Sequence, residues 1–564
     1  MNAMIAQPIP MRRADCRNRF AAAAESRLTI LVNGFILVAA ILLARIAQIV
    51  ILGLFNGAAH AAPVILDRAD IVDRNGVPLA RTIPVHSVRS VRANLMGNPG
   101  QLAAQLAMIF PDTSAGEFYT RLTTRETAII RRRATPAELN AVNDLAEIGF
   151  EYPQEPERLY PQGALAAHVL GFVAPGRGGA MGVERRFNQQ LSTHAAAAGA
   201  SLTLSLDVRV QAALELELGA AVTGLEAAGG AGLVLDVNTG EVVAMASMPT
   251  FDPNRVNFQN PDAQWNSVSF TTFELGSTFK PITIAAAMDA GVVTDMSRRY
   301  DATQPLHIDG HQINDSHPMR RWLNVPETLV HSSNIVTAQI ADQLGKERLQ
   351  ATFRALEFDR RPRIELSERG RPLWPSSWGR TTTMTAGYGH SIQVTPLHLA
   401  SAYAALVNGG IWRPATILKV TEGNAPAGHR VFSEATSARM RQLLRMIVSS
   451  GTGSHADAPG YRVGGKTGSA NRVVNGRYSD TLVVATFAAA FPMDHPRYVV
   501  LVMIDRPPGN AYSLGQRTAA YTAAPVVRKV VQRIGPMLGV YPDANHDVDI
   551  SELQPLLWQP RAER

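Results

Sequence analysis

The sequence predicts a multidomain protein of mixed α+β and α/β class: an N-terminal transmembrane helix, an elongated mixed pedestal domain, and a C-terminal domain with an antiparallel sheet flanked by helices. Three observations predict it. At 564 residues the chain is too long for one core. A long apolar run begins at Leu28. In the C-terminal half, strand-like runs at both ends enclose a helical middle, which suits terminal strands closing one sheet under packed helices. Apolar residues make up 46% and charged residues 18%, so there is ample material for packed cores.

From Leu28 to Ala44 the chain is apolar apart from Thr29 and Asn33, and beyond Arg45 it continues as IAQIVILGLF to Phe55. That length spans a bilayer. Ahead of it Arg12, Arg13, Arg17, Arg19 and Arg27 outnumber Asp15 and Glu25, while Asp67 and Arg68 beyond it balance. The positive-inside rule therefore keeps residues 1–27 cytoplasmic, anchors 28–55 in the membrane and exports the rest. AAHAAP at Ala58 to Pro63 also offers a signal-peptidase site, but the apolar run far exceeds the ~7 to 15 residues of a signal core. The single cysteine, Cys16, falls on the cytoplasmic side, which excludes an internal disulfide and a thiolate metal centre. No H-x-x-x-H or similar ligand cluster appears, so neither metal nor cofactor is expected. The net charge is +7, but the arginines are scattered. The run Arg131-Arg132-Arg133 beside helix-like ATPAELNAV reads as a solvated face, not a nucleic-acid site.

Between residues 60 and 224, short β-like runs alternate with turns, as in RADIVDRNGVPLA (from Arg68) and RLYPQGALAAHVLGFV (from Arg158), and read as scaffold. HAAAAGAS, from His194, reads as a connector. The C-terminal domain is placed at 225–540. It opens with AGLVLDVNTGEVVAMAS, two strands around a turn at Asn238-Thr239-Gly240. Near its end TLVVATFAAAF and RYVVLVMID are strand-like and precede a helical TAAPVVRKVVQRI. The polar, proline-bearing tail 541–564 is expected to be loosely ordered.

Chemistry concentrates in three segments. Gly276-Ser277-Thr278-Phe279-Lys280 leads into PITIAAAMDAG, a helix that tolerates Pro281 because it lies in the first turn. Ser277 and Lys280, three apart, share one face, and the helix N-terminus favours negative charge developing at the serine. A neutral amine there could take the hydroxyl proton, whereas an arginine could not. That gives weight to a lysine in a chain holding only five, Lys280, Lys346, Lys419, Lys466 and Lys529. Alone, the pattern also fits a capping serine with an exposed lysine one turn on. Ser332-Ser333-Asn334 precedes an amphipathic helix and would equally serve as a simple N-cap. Lys466-Thr467-Gly468-Ser469 follows β-type residues, and its glycine admits a ligand close to a strand edge that could grip a carboxylate and donate an amide to an oxyanion. Gly460 to Thr467 also fits G-x-x-x-x-G-K-T, but a phosphate loop needs a helix at once, and SANRVVNGRYSD reads as a hairpin.

S-T-F-K, S-S-N and K-T-G-S in this order resemble the penicillin-binding proteins and serine β-lactamases. LDVNTGEVVAMASMPTFDPN, GYGHSIQVTPLHLASAYAALVNGG and RVGGKTGSAN look like a class B penicillin-binding protein, and RADIVDRNGVPLA with PQGALAAHVLGFV to MGVERRFNQQL looks like its pedestal. Leu275 and Ala69 depart from the usual proline and glycine without removing a reacting group. Length and the GYG segment look most like the division-specific peptidoglycan D,D-transpeptidase of the septum. An elongation-specific enzyme and a membrane-tethered sensor of β-lactams or wall fragments are the alternatives. A bifunctional glycosyltransferase and a β-lactamase fit less well, because the pedestal has no place in either. The resemblance implies Ser277 as nucleophile, Lys280 as its base, Ser332 as proton relay and Lys466 as a source of positive potential. It implies Asn334, Thr467, Gly468 and Ser469 as substrate-binding, with the amides of Ser277 and Ser469 holding the oxyanion. The implied partners are stem peptides ending in D-Ala-D-Ala, β-lactams, the membrane, and a lipid-linked glycan polymerase with other division proteins. The implied place is the bacterial inner membrane, with a periplasmic catalytic domain at the septum.

Overall fold

The computed structural model describes residues 31–45, 68–174, 178–192, 200–256, 261–474 and 477–558. The chain divides into two units, Met1–Leu66 and Asp67–Arg564. In the first, residues 31–45 are helical with exposed side chains such as Phe35 and Leu43. The remainder of the expected anchor 28–55, Cys16, the Ala58 to Pro63 site and most of the connector from His194 lie outside the described residues. Among the described residues no helix is long and apolar enough to cross a membrane.

In the second unit the pedestal is organised by one long strand, β1 (Pro78–Val91). It pairs antiparallel with β2 (Thr127–Ala134) and with β3 (Gln154–Leu159). Ile71–Val72 joins its start and pairs parallel with Leu202–Thr203, which leads into the second domain. A separate core of Val88, Leu106, Phe110, Phe118 and Ile130 holds the far end. There, helix Pro99–Ile109 begins at a cap where the Asn98 side chain accepts from the Gly100 and Gln101 amides. The Arg131 and Arg133 side chains pair with Asp112, Glu138 and Glu157 on a partly exposed strand face. At the base, Glu184 is fully buried and accepts from Arg68 and Arg158, a matched cluster that avoids leaving a lone charge out of water.

The C-terminal domain begins with α1 (Val208–Gly224), followed by β4 (Gly229–Asp236) and β5 (Val242–Met248). The sequence reading placed α1 in the pedestal. Its Val210, Leu214 and Leu218 are instead buried against the C-terminal sheet, so this domain starts ahead of residue 225. Gly232 makes the close approach possible, since a Cβ there would sit 2.8 Å from the Leu214 side chain. The turn at Asn238-Thr239-Gly240 forms the anticipated hairpin, with Gly240 at φ +76° and the Asp236 carboxylate accepting from the Asn238 and Thr239 amides.

Then follow α2 (Lys280–Asp289), α3 (Val325–Val330), α4 (Asn334–Leu344), α5 (Pro396–Val407) and α6 (Glu434–Ser450). The strands β6 (Gly464–Val474), β7 (Arg477–Phe491) and β8 (Tyr498–Asp505) and the helix α7 (Ala523–Met537) complete the domain. The five strands lie in the order β5-β4-β8-β7-β6, all antiparallel, as the sequence predicts. Central β8 reads as an unbroken apolar run because both its faces are covered. Val499, Leu501 and Met503 meet the core of α2, α5 and α6, while Val500, Val502 and Ile504 meet that of α1 and α7. β6 is left as an edge strand, and because it turns back into β7, Lys466 lies in a hairpin and not in a phosphate loop.

The tail departs from expectation. Residues 541–558 form an extended strap: Asp547 pairs with Arg445, Glu552 pairs with Arg439, and the Asn324 side chain donates to the Leu556 carbonyl. Leu553 is only 1% exposed, and Val548, Ile550, Leu556 and Leu557 pack on the main core. These apolar residues are spaced among acids and prolines, so their common face exists only once the chain lies along α6. Leu553→Ala is expected to cost about 2–4 kcal/mol in denaturant titration and to open the tail to limited proteolysis, a cut the wild type resists.

Candidate active site

Gly276–Phe279 forms a 3₁₀ turn that runs directly into α2. In such a turn residues i and i+3 eclipse, which puts Ser277 and Lys280 on one face. The turn is held from three sides. Gly276, at φ +54°, donates its amide to the Gly389 carbonyl at 3.2 Å. The Thr278 hydroxyl donates to the Leu275 carbonyl at 2.8 Å, and buried Tyr403 donates to the Thr278 carbonyl at 2.9 Å. Gly389 has φ +84°, and a Cβ on it would lie 2.1 Å from the Gly276 oxygen, so a side chain there is excluded twice over.

Lys280 is wholly buried, but its amine does not bond the Ser277 hydroxyl as the sequence reading anticipated. It donates to the Ser332 carbonyl, and to Ser332 Oγ at 3.1 Å. Lys466, equally buried, donates to the same Ser332 Oγ at 2.9 Å and to Thr467 at its carbonyl (3.1 Å) and hydroxyl (3.2 Å). A buried amine must find acceptors, and the turn between α3 and α4 supplies them. Ser332 sits there at φ +60°, a conformation costly for a residue with a side chain and held by its surroundings. The Ser277 hydroxyl, half-buried, has no hydrogen-bond partner among the described residues.

Ser333 caps α4 by accepting from the Val336 amide at 3.2 Å, as its sequence predicts. Its hydroxyl donates to Asp315 at 2.8 Å, and the amides of Asn334 and Ile335 donate to the same carboxylate. The Asn334 side chain donates to the Asn314 carbonyl at 2.8 Å. On β6, a Cβ on Gly468 would meet the Leu275 oxygen at 2.3 Å, so glycine alone lets this edge lie against the Gly276–Phe279 turn. Thr467 Oγ donates to Thr452, and the exposed Ser469 accepts from the Ala519 amide at 3.0 Å. Ser277, Lys280, Ser332, Lys466, Thr467, Gly468 and Ser469 thus meet at one sheet edge, with Asn334 the first residue of α4, two positions after Ser332.

Burial holds the Lys280 amine well below the usual lysine range, the Lys466 charge lowers it further and Asp315 opposes. Burial takes Lys466 down to about 7. His390 is lowered to about 4 by burial and then by Lys280, so it is neutral at physiological pH. Sequence reasoning missed Asp315, Thr452, Tyr403 and His390. His390 lay within the GYGHSIQVTP segment quoted for the resemblance, but nothing local to Asp315 marks it. Among the described residues no cluster of His, Cys, Asp or Glu could hold a metal.

Two sequence families match the chain, the penicillin-binding protein transpeptidase domain over residues 230–532 and the penicillin-binding protein dimerisation domain over 65–197. A probable peptidoglycan D,D-transpeptidase FtsI of Caulobacter vibrioides is 38% identical over 494 residues, covering 86% of this chain and 84% of that protein. The peptidoglycan D,D-transpeptidase FtsI of Escherichia coli is 29% identical over 511 residues, covering 85% and 84%. The fold is similar to penicillin-binding protein 3 of Mycobacterium tuberculosis in complex with aztreonam, with a TM-score of 0.67, 25% identity and coverage of 84% of this chain and 97% of that one.

The lysine burial carries a pH signature. An unfolded lysine titrates near 10.4, whereas folded Lys466 titrates at about 7. Between those values the unfolded chain binds a proton that the native site does not. Stability is therefore expected to rise with pH through that window, and Lys280 adds the same sign. Urea titrations at pH 7, 8 and 9 should show the rise, and Lys466→Met should flatten it.

Proposed function

The chain belongs to the class B penicillin-binding proteins, and we propose from that membership and the site's geometry that it is a peptidoglycan D,D-transpeptidase working through an acyl-enzyme on Ser277. The observation that carries this reading is the convergence of two buried amines on Ser332 Oγ, with the Ser277 hydroxyl bonded to no partner among the described residues.

Ser277 Oγ attacks the penultimate D-Ala carbonyl of a stem peptide, and its proton passes to neutral Lys280. Burial keeps that amine unprotonated enough to act, which an exposed lysine near pH 7 would not be. The backbone amides of Ser277 and Ser469 face the developing oxyanion across the β6 edge. The C–N bond then breaks, and the terminal D-Ala leaves with a proton delivered through Ser332, which lies between the two amines. Lys466 is poised near neutrality, so an arriving carboxylate raises its pKa and draws it fully into the charged form. Thr467 and Ser469 hold that carboxylate, and Asn334 bonds the donor chain. An amine from a second stem peptide attacks the ester, the new C–N bond forms and Ser277 regains its proton.

The FtsI relatives support duty at the division septum. The apolar stretch 28–55 and the arginines ahead of it support a single-pass anchor with a cytoplasmic N-terminus and a periplasmic catalytic domain. A lipid-linked glycan polymerase and other division proteins complete the assembly we infer, with β-lactams as inhibitors of the same serine.

Incubating the full-length chain in detergent with benzylpenicillin and measuring intact mass should show one added drug mass, absent in Ser277→Ala. Unmodified wild type, or an equal adduct in the variant, would overturn the assignment of the nucleophile. Lys280→Arg should slow adduct formation by about 10²–10⁴-fold, because a guanidinium cannot accept the proton.

A further inference from the structure

A cleft opens beside the reacting serine, lined by Thr272, Phe273, Glu274, Gln393, Asn471 and Arg472. It continues the β6 edge past Ser469. A Cβ on Gly276 would touch both the Ser469 oxygen and Ala470 at 3.4 Å, so the nucleophile turn and this strand share one wall. The charges in the cleft do not match one another. Arg472 is already paired with Asp505 at 3.0 Å and lies over the Phe273 ring. Glu274, three residues ahead of Ser277, has no cationic partner among the described residues. Its Oε1 accepts from the Ser391 amide at 3.0 Å, and both its oxygens accept from the Tyr478 hydroxyl, at 3.1 and 3.0 Å. His390, tilted against the Tyr478 ring at 5.8 Å between centroids, is neutral and offers no counter-charge.

A half-buried carboxylate without a cation is costly and persists where something else supplies the charge. Burial raises the Glu274 pKa, which shows that the site's own dipoles do not fully compensate the anion. The Tyr478 hydroxyl comes from the β6–β7 hairpin and holds the carboxylate in one orientation at the rim of the cleft.

We propose that Glu274, held by Tyr478 and Ser391, is the binding site for the ammonium group of an amine-bearing stem-peptide residue. The proposal rests on the transpeptidase reading, because cross-linking requires an amine to reach the acyl group on Ser277. Two sources share that chemistry: the nucleophilic amine of the acceptor peptide, or a free side-chain amine on the donor. If the acceptor is the source, Glu274 also takes one proton from its ammonium, and the second nitrogen proton goes to Ser277 oxygen as the ester C–O bond breaks.

The test uses full-length protein in detergent with a synthetic pentapeptide carrying a lysine-type amine at its third residue and ending in D-Ala-D-Ala, alongside its side-chain N-acetyl form. Released D-Ala reports acylation, and the ratio of cross-linked to hydrolysed product reports transfer. Losing one charge-assisted contact predicts effects of about 10–100-fold. If the acceptor is bound here, Glu274→Gln lowers the cross-linked to hydrolysed ratio by that amount and raises the KM for acceptor. If the donor is bound, it lowers kcat/KM for D-Ala release from the free-amine peptide and spares the acetylated one. Glu274→Asp, which keeps the charge, should recover part of either loss. An unchanged ratio together with unchanged D-Ala release, or equal losses for amine and acetylated donors, overturns the proposal. Failure of wild type to form the penicillin adduct would instead overturn the transpeptidase reading beneath it.

Discussion

Two lysine side chains, Lys280 and Lys466, lie entirely out of water and meet at one hydroxyl, that of Ser332. Each amine needs acceptors and a reason to stay uncharged, and three separate parts of the fold exist in register to provide them. The 3₁₀ turn and α2 deliver Lys280, the edge strand delivers Lys466, and the turn between α3 and α4 holds Ser332 at a positive φ that no local preference would choose. Removing the Ser332 turn takes away the acceptor that both amines share. The same desolvation that makes the arrangement costly makes it reactive, since an amine below its ordinary pKa can accept a proton near neutrality.

That constraint explains much of the surrounding architecture. The sheet presents an open edge to the Gly276–Phe279 turn, so β6 lies outermost while β8, at the centre, is covered on both faces. The edge and the turn must approach more closely than side chains permit, so glycines stand at 389 and 468, where a Cβ would strike a backbone oxygen. Asp315 draws together the first amides of α4 and the Ser333 hydroxyl, fixing the turn that carries Ser332. The C-terminal strap meets the start of α3: Leu556 accepts from Asn324, and the Trp558 amide donates to buried Glu327. The helix leading into Ser332 is thereby braced from outside as well.

Much of this was legible in the linear chain, and the reasons are local. The β4–β5 hairpin announces itself through a turn that needs glycine at 240, and the N-cap of α4 through Ser333. The lysines at 280 and 466 stand out because arginine is otherwise the rule, and chemistry that requires loss of a proton forbids arginine. The three motifs together point to the family to which the chain belongs.

What the sequence could not decide is everything that depends on which surfaces meet. It assigned α1 to the pedestal because a helix's partner sheet is not written in its own residues. It read the tail as loose because Val548, Ile550 and Leu553 form a face only against α6. It placed Lys280 against Ser277, whereas the folded chain turns that amine to Ser332, a residue brought near by the α3–α4 turn. Glu274 and Asp315 carry no motif, and their significance lies in what stands beside them in space: one carboxylate without a cation among the described residues, the other gathering a helix's first amides. The sequence by itself determined which groups are able to react, since that is a property of side-chain chemistry and local backbone. Only the tertiary structure decided which amine bonds which hydroxyl and which charges stand unpaired, because those depend on desolvation and close approach between segments far apart in the chain.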